Sequence, residues 1–214
     1  ISPFGVWRNI AKDSQGSKTL AGATNYDDLY ANILKWQKEN WIDYVTPQLY
    51  WHIGFDRANF EVLAKWWAEH KYGANVYVGH GDYKISTSAK EPEWRSPDQI
   101  VKQIEMIRKL PQIEGSMHFT ASTFLKKGDT LRRPLLQKEY KYIALTPEAN
   151  RITRLKPEVP TNAVIAKKGN NAVLTWKEAL NDKKYVIYRF PKGKITDFSN
   201  PENIYYVTTA LKLE

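Results

Sequence analysis

The chain has 214 residues, 42% of them hydrophobic and 13% aromatic, which is enough apolar side chain to close a core and too much for a disordered polymer. Lys and Arg outnumber Asp and Glu by 32 to 23, but the surplus is scattered; its densest group is Lys126, Lys127, Arg132 and Arg133, with no interleaved basic and aromatic tract for nucleic acid. The lack of cysteine excludes disulfides, thiolate nucleophiles and Cys-type zinc sites, and no apolar run approaches the roughly 18 residues of a membrane span.

Residues 1–9 (ISPFGVWRN) open as a strand-like stretch that runs into aromatic, basic and amide side chains. The Gly- and Ser-containing loop over 12–22 has a length more often functional than merely connecting. A helix is expected from Thr24 or Asn25 as N-cap to about Asn40, with Asp27 and Asp28 in its first turn and Leu29, Ile33 and Trp36 on its buried stripe. A second strand over 42–49 leads into a helix over 57–71 whose inner face carries Phe60, Leu63, Ala64 and Trp67.

A third strand over 76–78 precedes a capping-box pattern, Ser96, Pro97 and Gln99, that opens a helix with Ile100, Ile104 and Ile107 on its inner stripe. Pro111 ends that helix, residues 116–121 supply a fourth strand, and an apolar helical stretch follows over about 135–145. Four times, over 1–9, 42–52, 75–85 and 115–123, a strand ends in a polar and aromatic cluster. In parallel α/β proteins ligands bind beyond the carboxyl ends of strands, so this grammar marks one functional rim. Strands buried on both faces, alternating with helices, imply a parallel sheet with right-handed crossovers, at half the repeat count of a (β/α)8 barrel.

After Thr146 the pattern changes. Residues 155–160 carry two prolines and read as linker, and short alternating strands follow over 163–167, 172–177, 185–190 and 204–209, with turns at 168–171 and 181–183. Val173-Leu174-Thr175-Trp176 with Tyr185-Val186-Ile187-Tyr188-Arg189 resembles a fibronectin type III module, but the four or five strands that fit fall short of the seven such a sandwich uses. The expected organisation is an α/β half TIM barrel over 1–148, a linker over 149–160 and a partial all-β domain over 161–214. Both ends of the chain fit a fragment of a longer polypeptide.

The strand motifs SPFGVWRN (2–9), WIDYVTPQLYW (41–51), YVGHGDYKI (77–85) and SMHFTAS (116–122), with Ala21-Gly22, Leu29-Tyr30 and LAKWW (63–67), together resemble the second half of the glycosyl-hydrolase-like 10 family of bacterial TIM-barrel proteins. The resemblance covers about residues 1–145. It implies barrel strands five to eight, a glycoside hydrolase acting on peptidoglycan glycan strands, and a periplasmic or outer-membrane lipoprotein location in the cell envelope. It also places the family's Asp-Asp-Tyr-like acidic motif upstream of Ile1, outside this sequence.

Glycoside hydrolysis needs two carboxyl groups flanking the bond. Asp43 stands at the start of its strand, on the opposite rim, and reads as structural. Asp56, Asp82, Glu91 and Glu93 lie in loops on the rim of interest, with Asp82 the best placed, although the family more often carries a small residue there. His80 and His118 end adjacent strands and are candidates to orient a substrate or a general acid; a satisfied structural histidine is the alternative. His52 is more weakly placed, and His70 reads as a helix surface residue. Trp7, Tyr50, Trp51 and Tyr83 suit pyranose faces, while Arg8, Asn9, Gln48 and Lys84 suit hydroxyls and acidic substituents.

The candidate catalytic residues are thus Asp82, His80 and His118, and the candidate substrate-binding residues Trp7, Arg8, Asn9, Gln48, Tyr50, Trp51, Tyr83 and Lys84. No metal and no cofactor are expected, and no Walker sequence or Ser-His-Asp order appears. The expected partners are a polysaccharide and either an upstream half barrel or a second copy of the chain, with no nucleic acid. A non-catalytic carbohydrate-binding or envelope-interaction protein is the alternative from another class.

Overall fold

The computed structural model describes residues 1–127, 129–148, 155–178, 184–193 and 195–213. They divide into two compact units, the first beginning with Ile1–Lys141 and the second holding the strands after Leu155.

In the first unit a parallel sheet is built from β1 (Tyr44–Val45), β2 (Asn75–His80) and β3 (Ile113–His118), in the order β1-β2-β3. The expected first strand is reduced to a single parallel bridge from Phe4 to Gln48, although Thr46 N–H still donates to Ile1 O and Gln48 N–H to Pro3 O. Pro3 has no N–H to contribute, which shortens the ladder. Close backbone approach is built in: a Cβ at Gly5 would sit 2.5 Å from the Gln48 carbonyl oxygen. The four segments therefore lie side by side in chain order, as successive β/α units require.

Helix α1 spans Ile33–Lys38, far shorter than the expected helix from Thr24 to Asn40. The caps at Thr24 are real: Asp27 N–H donates to its Oγ1 and its own N–H donates to Asp28 Oδ2. The helix is not continued, because the Asn25 amide is drawn away to Phe4 O and Val6 O and Tyr30 turns to φ +53°. Leu29, placed on the buried stripe by its spacing, is accordingly exposed.

Helix α2 (Phe60–Glu69) is capped by the Asn59 side chain and buries Phe60, Leu63, Ala64 and Trp67 against β2, with Trp67 Nε1–H donating to Gly5 O at 2.8 Å. Helix α3 (Asp98–Ile107) buries Ile100, Ile104 and Ile107. Ser96 Oγ accepts from Asp98 N–H, but the Gln99 side chain turns inward and does not close the expected capping box. The helix expected over 135–145 is replaced by α4 (Ala121–Lys127) and α5 (Asp129–Gln137), which buries Leu131 and Leu135 one turn apart. After α5 the chain turns back, with Tyr140 N–H on Leu135 O.

In the second unit β4 (Thr161–Lys168), β5 (Asn171–Lys177) and β8 (Lys212–Leu213) form one antiparallel sheet, and β6 (Tyr185–Tyr188) pairs with β7 (Ile204–Thr208) in another. The turn between β4 and β5 uses Gly169 at φ +61°, a conformation that favours glycine. The expected turn at 181–183 lies outside the described residues, as does part of the expected linker. No helix among the described residues is long and apolar enough to cross a membrane.

Candidate functional site

The carboxyl ends of β2 and β3 bring together residues from four loops. His80, the last residue of β2, is completely buried and stacked between Phe60 and His118, at ring distances of 5.7 and 5.4 Å. Its Nδ1 lies 2.9 Å from Gln103 Oε1 on α3, and its Nε2 lies 3.1 Å from Ser116 Oγ on β3. Gln103 Nε2 in turn donates to Trp51 O at 3.0 Å. Burial drives the His80 pKa down to about 3; the adjacent His118 adds to the shift and the Gln103 bond opposes it. His80 is therefore neutral at any physiological pH and serves as a fixed hydrogen-bonding strut.

Asp82 opens a short 3₁₀ turn, Asp82–Lys84, and is fully buried rather than lying free in a loop on the rim. Its Oδ2 lies 2.9 Å from His118 Nδ1, and His118 Nε2 lies 2.6 Å from the hydroxyl of Tyr140. The His118 side chain keeps 16% exposure, so this pair reaches the surface through the imidazole. Burial, first of all, pushes the Tyr140 hydroxyl pKa up, with Asp82 and Glu139 acting the same way and Ser116 and Arg108 opposing.

Directly outside this network lies an aromatic face. Tyr50 stacks on Phe119 at 5.7 Å, and Tyr83 meets both edge-on at 5.9 Å. Tyr83 and Phe119 are 47% and 52% exposed, so their rings are presented to solvent as flat apolar surface. The Phe119–Thr120 peptide beside them is cis. Burial, then Tyr83 and Asp82, raise the Tyr50 pKa. Lys84 sits with Nζ 5.4 Å over the Trp94 ring, its pKa lowered by partial burial against the opposing pull of Glu91.

The other expected binding residues are engaged elsewhere. Arg8 is gripped by Asp13 at 2.8 Å and Asp27 at 2.7 Å, with its guanidinium 4.5 Å over Tyr26. The Asp27 hydrogen bond raises the Arg8 pKa, and the same bond lowers that of Asp27. Asn9 donates to Ala21 O and accepts from Thr19 Oγ1 and Ala21 N–H, tying down the long loop. Trp7 is buried against Trp66 and Tyr26, and Gln48 donates to Ser2 O. Trp51 meets Phe4 edge-on in the core periphery. A surface depression of about 370 Å³ is lined by Trp7, Arg8, Asp13, Tyr26, Lys35 and Lys38 among others, apart from the Tyr83 face. His52 hydrogen-bonds to Ile53 O, and His70, expected on the surface, stacks on Trp66 at 4.2 Å.

Sequence reasoning missed Tyr140, Gln103 and Phe119. Gln103 had a legible signal, being an amide set between Ile100, Ile104 and Ile107 on the inner stripe, and a buried amide needs partners. Tyr140 had none, because only the turn after α5 brings it back to His118.

Residues 1–96 match the family described as Glycosyl hydrolase-like 10. The chain is 38% identical over 197 residues to Glycosyl hydrolase YngK of Bacillus subtilis (strain 168), a match that covers 88% of this chain and 38% of that protein. It is 35% identical over 149 residues to Glycosyl hydrolase DigH of Escherichia coli (strain K12), covering 67% of this chain and 32% of the relative. The chain thus spans about a third of the length of the curated relatives it matches.

Proposed function

We propose that this chain is part of a glycoside hydrolase of the glycosyl-hydrolase-like 10 family, supplying half of a (β/α)8 barrel and its sugar-binding rim. The observation that carries the reading is the face of exposed Tyr83 and Phe119 rings, backed by half-buried Tyr50, that adjoins the Asp82 and His118 pair at the ends of β2 and β3. Flat rings accept pyranose C–H groups, and a carboxyl and an imidazole are the groups that manage a proton at a glycosidic oxygen. Of the two carboxyl groups hydrolysis requires, Asp82 is the one in contact with a rim imidazole, and the second is assigned to polypeptide outside this sequence. The substrate is a bacterial cell-envelope glycan, in first place the glycan strands of peptidoglycan, and the location is the envelope. The strands after Leu155 are read as a partial fibronectin-like module.

Mixing this chain with the polypeptide that completes the barrel tests the assignment. Release of reducing ends from denuded glycan strands is expected only from the mixture; inactivity of a demonstrably docked pair would overturn it. The complete burial of Asp82 favours one second reading, a barrel that binds glycan without turning it over. Calorimetric binding by the complete protein with no product would select that reading.

A further inference from the structure

Gln103 ties three rim segments together. It stands on α3 and is completely buried. Its Nε2 donates at 3.0 Å to the carbonyl of Trp51, in the segment after β1, and its Oε1 lies 2.9 Å from Nδ1 of His80 at the end of β2. Nε2 of His80 in turn lies 3.1 Å from Ser116 Oγ on β3. A carbonyl can only accept, so the Gln103 amide has one orientation, with its NH₂ toward Trp51 and its oxygen toward His80. An amide oxygen can only accept as well, so His80 carries its hydrogen on Nδ1, and its bare Nε2 takes the Ser116 hydroxyl hydrogen. An apolar side chain in this place, or one that only donates or only accepts, would leave Trp51 O or His80 Nδ1 unmatched inside the core; an amide matches both.

We propose that Gln103 is a positioning residue for the rim: by fixing the hydrogen of His80 on Nδ1 it locks that ring in place and, through it, sets both the aromatic face and the imidazole that meets Asp82. Backbone and ring contacts carry the effect outward. The His80 carbonyl accepts the Phe119 N–H at 3.1 Å, and Phe119 O accepts the Tyr83 N–H at 3.3 Å, so the backbone of the aromatic face hangs from His80. The His80 ring lies against the His118 ring at 5.4 Å, with 24° between their planes, and backs the imidazole whose Nδ1 lies 2.9 Å from Asp82 Oδ2. The Trp51 carbonyl is held one residue beyond Tyr50, whose ring stacks on Phe119. Gln103 does this from the core, where no ligand reaches it. Only the use of the ordered rim on a glycan rests on the function proposed above.

Nitrogen-15 NMR of the histidine side chains in the full chain at neutral pH tests the placement with no glycan present. Wild-type His80 is expected to show Nδ1 protonated and Nε2 bare; the opposite pattern, or a doubly protonated ring, overturns the proposal. Ser116→Ala removes the partner of Nε2 and is expected to leave the hydrogen on Nδ1, because Gln103 still accepts it. Gln103→Leu takes that acceptor away and is expected to move the hydrogen to Nε2, where Ser116 Oγ can accept it, since a buried N–H without an acceptor is disfavoured. A hydrogen that stays on Nδ1 in Gln103→Leu, or leaves it in Ser116→Ala, overturns the proposal; if Gln103→Leu does not fold, the wild-type and Ser116→Ala spectra decide it. In the complete protein, Gln103→Leu is expected to lower turnover of denuded glycan strands about tenfold or more, because small misplacements of reacting groups are costly. Wild-type turnover despite a moved hydrogen overturns the positioning role and leaves the enzyme reading standing, whereas a wild-type protein without turnover counts against the enzyme reading alone.

Discussion

The parallel first unit and the antiparallel strands after Leu155 differ in how much they bury. In the first, β2 is buried along nearly its whole length, and two apolar clusters gather around Trp67 and around Trp94. In the second, β4 is exposed at every position, and only Val173 and Trp176, both on β5, count as buried among its described residues, each still 8% exposed. Val164 and Ile165 of β4 stand in solvent at 54% and 73% exposure. Strand pairing alone gives little stability without a covered apolar face. The comparison teaches that order at the rim is inherited from the core beneath it, because His80 ends the buried strand β2 and Gln103 stands on α3 beside the buried Ile100, Ile104 and Ile107.

The sharpest way to break this contrast is Trp67→Ala. The ring is completely buried and its Nε1–H bonds to Gly5 O, so the substitution removes packing and orphans an acceptor at once. A loss of about 3–5 kcal/mol is expected in urea unfolding of the first unit. A loss below about 1 kcal/mol would mean that the sheet is not the stabilising centre.

A pH series probes the same core through His80. An unfolded His80 titrates near 6.5 and the native one near 3, so between these values the unfolded chain binds a proton that the native chain refuses. The stability this neutral ring allows is fully present above about pH 6.5 and is lost as the pH falls toward 3. His80→Gln keeps a hydrogen-bonding group without the titration, and its unfolding free energy should change with pH by about one proton less between pH 6 and 4. Parallel slopes for the two proteins would show that His80 is not buried neutral.

How much of this was legible depends on the range of the interactions. The stripe of Phe60, Leu63, Ala64 and Trp67 has helical spacing, and all four residues are buried as the spacing predicts. Thr24, Asp27 and Asp28 have a helix-start pattern too, but their cap closes a loop, because the Asn25 amide bonds across 21 residues to Phe4 O. Arg8 and Asn9 sit in a binding-like motif, yet their partners are Asp13, Asp27, Thr19 and Ala21, which a strand-end grammar does not reveal. The rim histidines were visible as strand ends; the tyrosine that meets His118 was not, since 22 residues and two helices separate them.

Trp176 is the second unit's counterpart of Trp67, meeting Tyr185 edge-on at 5.2 Å across from one sheet to the other. Trp176→Ala should cost about 1–2 kcal/mol, read from the protease susceptibility of β5 and β6. A cost equal to that of Trp67→Ala would erase the contrast between the units. At the rim, Tyr83→Ala in the complete protein should weaken binding of a glycan oligosaccharide by about 1 kcal/mol, roughly fivefold, while leaving unfolding unchanged. Unaltered affinity would remove Tyr83 from the binding face.

The smallest effect calibrates the rest. Lys65 pairs with Glu61 one turn earlier on α2 at 2.8 Å, but both side chains are about half exposed, at 55% and 41%. Six residues on, Lys71 meets Glu114, whose second oxygen takes the Val76 N–H, and both partners are only 19% exposed. Water screens the first pair, and fixing two long side chains costs entropy, so Lys65→Ala should change stability by no more than about 0.5 kcal/mol. A surface charge in the well-packed unit would then weigh no more than one on the exposed β4. A loss above about 1 kcal/mol would show that the helix surface, and not only the buried stripe, holds the first unit together.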